Sequence, residues 1–510
     1  MAVNQIKAGA VLNYVNIALN AALGLLYTPY MLGMLGKNEY GLYSLVASVI
    51  SYLTLFDFGF GSAVVRYTAK FRAEGKQKEQ WEMFGMFFVV YLVLGALAFI
   101  AGLALYFNVD AMFDRTMTET ELSQARIMML LLVVNVAITF PFSMFGSIIT
   151  AYEDFVFQRV LTMARLLLST AVIVLVLFLG YKAVAMVVVH TSFNIAYLLI
   201  NYCYAHYKIR IKVWFSNFNW NLIKEISVYS FWLFLDGIMT KIYWSTGQFV
   251  LGSLVGTAAV AVFSVAITLQ NMYLSFSTAI ASLLLPRITT MVALNSSYKE
   301  ISDVFIRTGR IQCIMMSLIL SGFIVFGRIF IELWAGEGYS QSYIIALIFF
   351  VGLFVPSIQN TGMVIMQARN QMKFCCLVYL AISFVSLGGQ ILVAKTFGSI
   401  GVAAAIGGGL LLGQGLIINI YYALGQRIDI VSFWREIGKM LLMPALLTAL
   451  FMLLMSYVAI HTWGQLALAI FTFIVVYAPI LWFFSMNVYE RKLIGAPIKR
   501  ISAKIWHRFN

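Results

Sequence analysis

The chain has 510 residues, of which 62% are hydrophobic and only 11% charged, where a soluble domain carries about 25% charged residues. No water-soluble fold of this length hides so much apolar surface, so the solvent around it must be lipid. The formal net charge of +14 raises nucleic acid as a partner, and the placement of the charges along the chain argues against it.

Apolar runs of about twenty residues are centred near Leu19, Val49, Leu94, Val136, Ile173, Val189, Ile238, Ile267, Ile319, Ile348, Ile382, Gly409, Phe451 and Phe473. Each is long enough to cross a hydrocarbon core of about 30 Å at about 1.5 Å per residue. They predict an all-α integral membrane protein with about fourteen transmembrane helices and no appended soluble domain. The first run, from about Ala8 to Leu35, exceeds the apolar core of a signal peptide and precedes no A-x-A-like cleavage site. It is therefore read as a transmembrane helix of the mature chain. With the N-terminus inside, 27 of the 34 Lys and Arg residues fall on the inner side, six fall outside, and Lys241 lies in the membrane. Shifting the assignment by one helix destroys this asymmetry, so both termini are placed in the cytoplasm. The basic excess is a topology signal and not a nucleic-acid site. The largest outward loop, about Asn108 to Gln124, leaves no room for an extracytoplasmic catalytic domain. Cys203, Cys313, Cys375 and Cys376 lie in or beside apolar runs with no C-x-x-C spacing, which reads as ordinary core thiols without a disulfide framework or metal site.

An internal repeat runs through the chain. Leu32-Gly33-Met34-Leu35, Leu42-Tyr43-Ser44-Leu45 and Arg66 recur as Leu251-Gly252-Ser253-Leu254, Val262-Phe263-Ser264-Val265 and Arg287, about 220 residues later and in the same orientation. This predicts a duplicated six-helix unit with its axis normal to the membrane. The expected division is a lobe over residues 1–205, a cytoplasmic linker over 206–225, a second lobe over 226–424, two added helices over 425–486 and a basic tail over 487–510.

Ionisable groups deep in a bilayer are costly and usually face a cavity. In the seventh helix, Asp236 lies about 15 Å deep if the helix starts near Ile226, and Lys241 follows about 7–8 Å further out. Five residues separate the two, so they do not share a helical face. Asp236 is a candidate ion-coupling carboxylate, and Trp232 on the same helix could stack on sugars. Asn13, Asn16, Asn20, Gly24 and Tyr27 form one stripe on the first helix, and His190, Asn194, Tyr197 and Asn201 form another on the sixth. Such stripes either hydrogen-bond neighbouring helices or line water, and two in one lobe favour a hydrated cavity. Arg165, and Arg66 and Arg287 at matching inner helix ends, could hold phosphate through their planar forks; for the latter two, snorkelling to the interface is the stronger reading. Asp57, near the inner interface, reads as structural or gating. Pro29, Pro141, Pro286 and Pro356 are positions of kinks or hinges. The chain carries no Gly-rich phosphate loop, metal-ligand cluster or D-x-D pair, and no cofactor is expected.

The stretch from Gly41 to Arg72, GLYSLVASVISYLTLFDFGFGSAVVRYTAKFR, resembles the second helix of the polysaccharide biosynthesis transporters, which include the Wzx-type O-antigen and repeat-unit flippases. Tyr40, Gly41, Leu42, Tyr43, Asp57, Gly59, Gly61, Arg66 and Tyr67 carry the likeness, as does the preceding Leu32–Gly41 segment. The resemblance implies the multidrug/oligosaccharidyl-lipid/polysaccharide exporter fold, two MATE-like six-helix lobes plus two helices. It implies a non-enzymatic flippase of the bacterial inner membrane, moving polyprenyl-diphosphate-linked oligosaccharide from the cytoplasmic to the outer leaflet for O-antigen or exopolysaccharide export. It further implies alternating access, coupling to H⁺ or Na⁺, contact with membrane lipid and association with other polysaccharide-assembly proteins. The alternative function is a cation-coupled multidrug or metabolite antiporter of the same fold.

Overall fold

The computed structural model describes residues 2–215, 220–282, 288, 290–292, 294, 296–369 and 371–492. Its elements are helices throughout, as the apolar periodicity requires. Among the described residues eleven spans are long and apolar enough to cross a membrane, which makes the chain a multi-pass membrane protein.

Two of those spans exceed any bilayer. Val11–Ala73 runs for 63 residues and contains the runs expected near Leu19 and Val49. It kinks at Gly36, whose φ of 75° is open to a residue without a Cβ, with hardly a gap in helical hydrogen bonding. Lys373–Leu424 runs for 52 residues and bends in the same manner at Gly398. Three helix starts are set by capping boxes that tie up otherwise orphaned backbone donors: Thr118 with Glu121, Ser297 with Glu300, and Thr462 with Gln465. Pro29, Pro141 and Pro356 lie inside helices, and Pro286 lies outside the described residues.

The contacts divide the chain into two compact units. The first comprises residues 1–268 and 379–406, the second residues 269–378 and 407–510.

The first unit is built on α1 (Ala2–Ser51), α2 (Phe60–Ala73), α3 (Gln77–Phe107), α4 (Val109–Phe113), α5 (Glu119–Ala151), α6 (Phe155–Phe178) and α7 (Ala183–Cys203). Here α5 is the shared partner, packing along α3 and α7, while α6 packs on α1. Between α1 and α2 the chain passes through a 3₁₀ turn, Tyr52–Asp57, then Phe58 and Gly59 in the left-handed region at φ 48° and 72°. The Asp57-Phe58-Gly59-Phe60-Gly61 motif is therefore a helix interruption, with backbone groups that helical bonding leaves unpaired. Gly41 answers a different demand. A Cβ there would lie 1.9 Å from the carbonyl oxygen of Thr257, so only glycine admits this approach. Thr257 in turn donates to Glu121 Oε1 at 2.9 Å.

In the second unit α8 (Tyr298–Ala335) is central, packing against α9 (Gln341–Ile358), α10 (Ile430–Met455) and α11 (Trp463–Ile480). Arg310 of α8 is 5% exposed and donates through Nε to Glu490 Oε1 at 2.6 Å, through Nη2 to Glu490 Oε2 at 3.1 Å, and through Nη1 to Glu436 Oε2 at 2.9 Å. Its Nη2 also donates to the Ser485 carbonyl at 3.0 Å. One guanidinium thus joins α8, α10 and the segment that follows α11. Further along α8 lies an apolar cavity of about 380 Å³, lined by aromatic residues including Tyr273, Phe323, Phe326 and Phe350.

Candidate functional site

The first unit encloses a cavity of about 820 Å³, within the range of ligand sites generally. Its wall is built from one face of each surrounding helix. From α5 come Asn135, Thr139, Ser143 and Ser147, spaced by four and so stacked in a single row. Thr162, Arg165 and Ser169 of α6 and His190 and Asn194 of α7 form two further rows. Asn20 of α1 joins them, with Thr54 and Asp57 from the turn before α2 and Gly61 from its first turn.

Arg165 is the one Lys or Arg among these lining residues, and the side chains it touches, Asn194 and Tyr197, are neutral. Its Nη1 donates to Asn194 Oδ1 at 3.0 Å, and its Cζ lies 4.5 Å from the centre of the Tyr197 ring. Asn194 Nδ2 donates to Asn135 Oδ1 at 2.8 Å and to Thr139 Oγ1 at 2.9 Å. The Tyr197 hydroxyl donates to Gln158 Oε1 at 3.2 Å, and Gln158 Nε2 donates to Asn201 Oδ1 at 3.2 Å. A polar network thus runs from α5 through α7 to α6 inside an apolar unit, with its amides and hydroxyls paired to one another.

The row on α7 is the one expected: His190 and Asn194 line the cavity, Tyr197 lies under Arg165, and Asn201 is buried in the network. Of the α1 stripe, Asn20 lines the cavity and donates to the Asn16 carbonyl at 2.8 Å and to Asn16 Oδ1 at 3.1 Å, while Asn13 lies outside it. Asp57 is a wall residue of the cavity. Arg66 is exposed near the Tyr67 ring, at 5.8 Å, and Lys241 is half-buried; neither lines the cavity. Arg287 and the side chains of Trp232 and Asp236 lie outside the described residues. The row on α5 is the part that sequence reasoning missed, although its signal is the same spacing that marks α7. Among the described residues no group of three or more His, Cys, Asp or Glu side chains is placed to hold a metal ion.

Residues 6–292 match the family model described as polysaccharide biosynthesis protein. Several solved structures share the fold. The lipid II flippase MurJ in an inward closed conformation is similar at 14% identity, covering 93% of this chain and 98% of its own, with a TM-score of 0.68. An inward-facing multidrug resistance MATE family transporter of the MOP superfamily is similar at 13% identity, covering 85% of this chain and 99% of its own, with a TM-score of 0.59. The Vibrio cholerae MATE transporter VcmN in the bent form is similar at 16% identity, covering 85% and 98%, with a TM-score of 0.52. No curated protein matches the sequence.

Proposed function

Because the chain belongs to the polysaccharide biosynthesis protein family, we propose that it is a flippase for polyprenyl-diphosphate-linked oligosaccharide, serving O-antigen or exopolysaccharide export. The observation that carries the reading is the cavity of the first unit, where one uncompensated guanidinium sits among amides and hydroxyls. A sugar headgroup presents hydroxyls for the amide rows, and its phosphates present acceptors for Arg165. The prenyl chain stays in lipid, which no polar cavity suits better.

In this reading the protein works by alternating access in the bacterial inner membrane, and the two six-helix lobes expected over residues 1–205 and 226–424 expose the headgroup site to each side in turn. Arg165, His190 and Asn20 contact the headgroup, with Asn194 beside Arg165 in the same wall. Arg66, Arg287, Asn13, Asn16, Lys241 and Trp232 serve its path, and Asp57 has a gating role. Asp236 is the ion-coupling carboxylate, for H⁺ or Na⁺. Fold likeness to flippase and multidrug transporter alike supports transport over catalysis. The likeness to MATE transporters also supports a second reading, a cation-coupled multidrug or metabolite antiporter.

The deciding experiment reconstitutes the protein in liposomes and follows leaflet exchange of a fluorescent polyprenyl-diphosphate oligosaccharide. Protein-dependent exchange that falls in Arg165→Gln supports the flippase and its site. No exchange, with drug or ion antiport in the same vesicles, overturns it for the antiporter.

A further inference from the structure

Every polar atom of the Asn194 amide is in use. The oxygen accepts from Arg165, and the nitrogen donates to both Asn135 and Thr139. Thr139 is itself anchored, its Oγ1 donating to the Asn135 carbonyl at 2.7 Å. Asn194 therefore fixes one edge of the Arg165 guanidinium while the Tyr197 ring covers one face. Among the described residues no carboxylate oxygen lies within 4.0 Å of Arg165, although Asp57 lines the same cavity. A cation held without a counter-ion inside a membrane protein is costly, and an anionic ligand offsets that cost. Neutral sugars alone would need no such group, since hydroxyls and amides satisfy them.

We propose that Asn194 is a positioning residue that keeps Arg165 oriented and unpaired, so that the cavity selects cargo carrying an anion, a phosphate or a sugar carboxylate, amid hydroxyls. This rests on the headgroup reading of the cavity. The requirement at this position is specific. The side chain must accept from a guanidinium and donate twice, which an amide does and a carboxylate cannot. Aspartate, nearly the same shape, would turn the hydrogen bond into an ion pair and spend the charge internally.

The test measures binding to the purified full-length protein of three probes: a polyprenyl diphosphate without sugar, a neutral trisaccharide, and the same trisaccharide with one hexose replaced by a uronate. Wild type favours an anionic probe over the neutral one, and which anionic probe it favours identifies phosphate or sugar carboxylate as the source. Asn194→Asp lowers affinity for the favoured anionic probe at least tenfold, leaves the neutral trisaccharide within about twofold, and has no further effect on an Arg165→Gln background. Asn194→Ala, which releases the guanidinium without neutralising it, loses less than Asn194→Asp for the anionic probe. Thermal melting establishes that the variants are folded. An unchanged anionic-to-neutral ratio in folded Asn194→Asp overturns the proposal, as does an equal anionic loss in Asn194→Ala. Failure of wild type to bind any of the three probes instead overturns the headgroup reading itself, and this inference with it.

Discussion

Asp57 and Arg165 line one cavity and do not form an ion pair. Attraction between opposite charges weakens with distance, and each of the two has other groups around it. For Arg165 those groups are Asn194 and Tyr197. Asp57 is held by the helix interruption that precedes α2. The two charges are then expected to act oppositely on an anionic cargo. Arg165→Gln lowers its affinity at least tenfold, whereas Asp57→Asn removes a like charge and raises it by about two- to fivefold. Titration of the polyprenyl-diphosphate probe checks both, and a loss in each variant contradicts the expectation.

Gly41→Ala tests the close approach of α1 to Thr257. On an isolated helix the change would favour folding by up to about 1 kcal/mol, because alanine is the better helix former. Here the new methyl meets a carbonyl oxygen at 1.9 Å, and backbone must move. The net expectation is a destabilisation of about 1–3 kcal/mol, read as a lowered melting temperature in detergent. An unchanged or raised melting temperature would show that the approach is not tight.

The Arg310 cluster predicts an ordered series. Glu490 is 1% exposed and takes two of the guanidinium's bonds, so Glu490→Gln leaves a buried cation undercompensated and costs about 3–5 kcal/mol. Glu436 is 39% exposed, and Glu436→Gln costs about 1 kcal/mol or less. Replacing both members of the buried pair, Arg310→Met with Glu490→Met, restores much of the stability lost in Glu490→Gln. Melting of the three variants in one detergent ranks them.

Asp429 caps α10, its Oδ1 accepting from the Ser432 amide at 2.9 Å. The hydrogen bonds from Ser432 hold its carboxyl below the usual carboxylate range. A depressed folded-state value means that the stabilisation is present above the unfolded value of about 3.9 and is lost as pH falls through the folded value. Asp429→Ala is therefore expected to cost about 1 kcal/mol at neutral pH, and its gap in melting temperature to wild type closes in acid. A gap that widens below pH of about 4 would reverse the sign assigned here.

Helix type and the approximate position of the membrane segments were legible in composition and apolar run length alone, because lipid permits few alternatives. Two turns were not legible as structure. The runs near Leu19 and Val49 join at Gly36, and Lys373–Leu424 bends at Gly398, both through dihedrals that a sequence does not display. His190 and Asn194 of the α7 stripe line the cavity, and spacing of three and four identifies that helix face. The same arithmetic applied to Asn135, Thr139, Ser143 and Ser147 would have found α5. What spacing cannot supply is which faces turn toward one another. Asn20 lines the cavity and Asn13 on the same stripe does not.

The bond between Arg310 and Glu490 joins residues 180 positions apart. At about 5–20 residues per second, a ribosome makes Glu490 roughly ten to forty seconds after Arg310. Throughout that interval the arginine is inserted or waiting without its main counter-ion, with Glu436 arriving 126 residues behind it. Completion of the second unit is thus a late event in synthesis, and a nascent chain stalled or cut short after α11 carries an exposed liability that quality-control proteases are equipped to detect. A stop codon just before Glu490 should accordingly lower the amount of protein in the membrane far more than loss of the 21 terminal residues would by itself suggest.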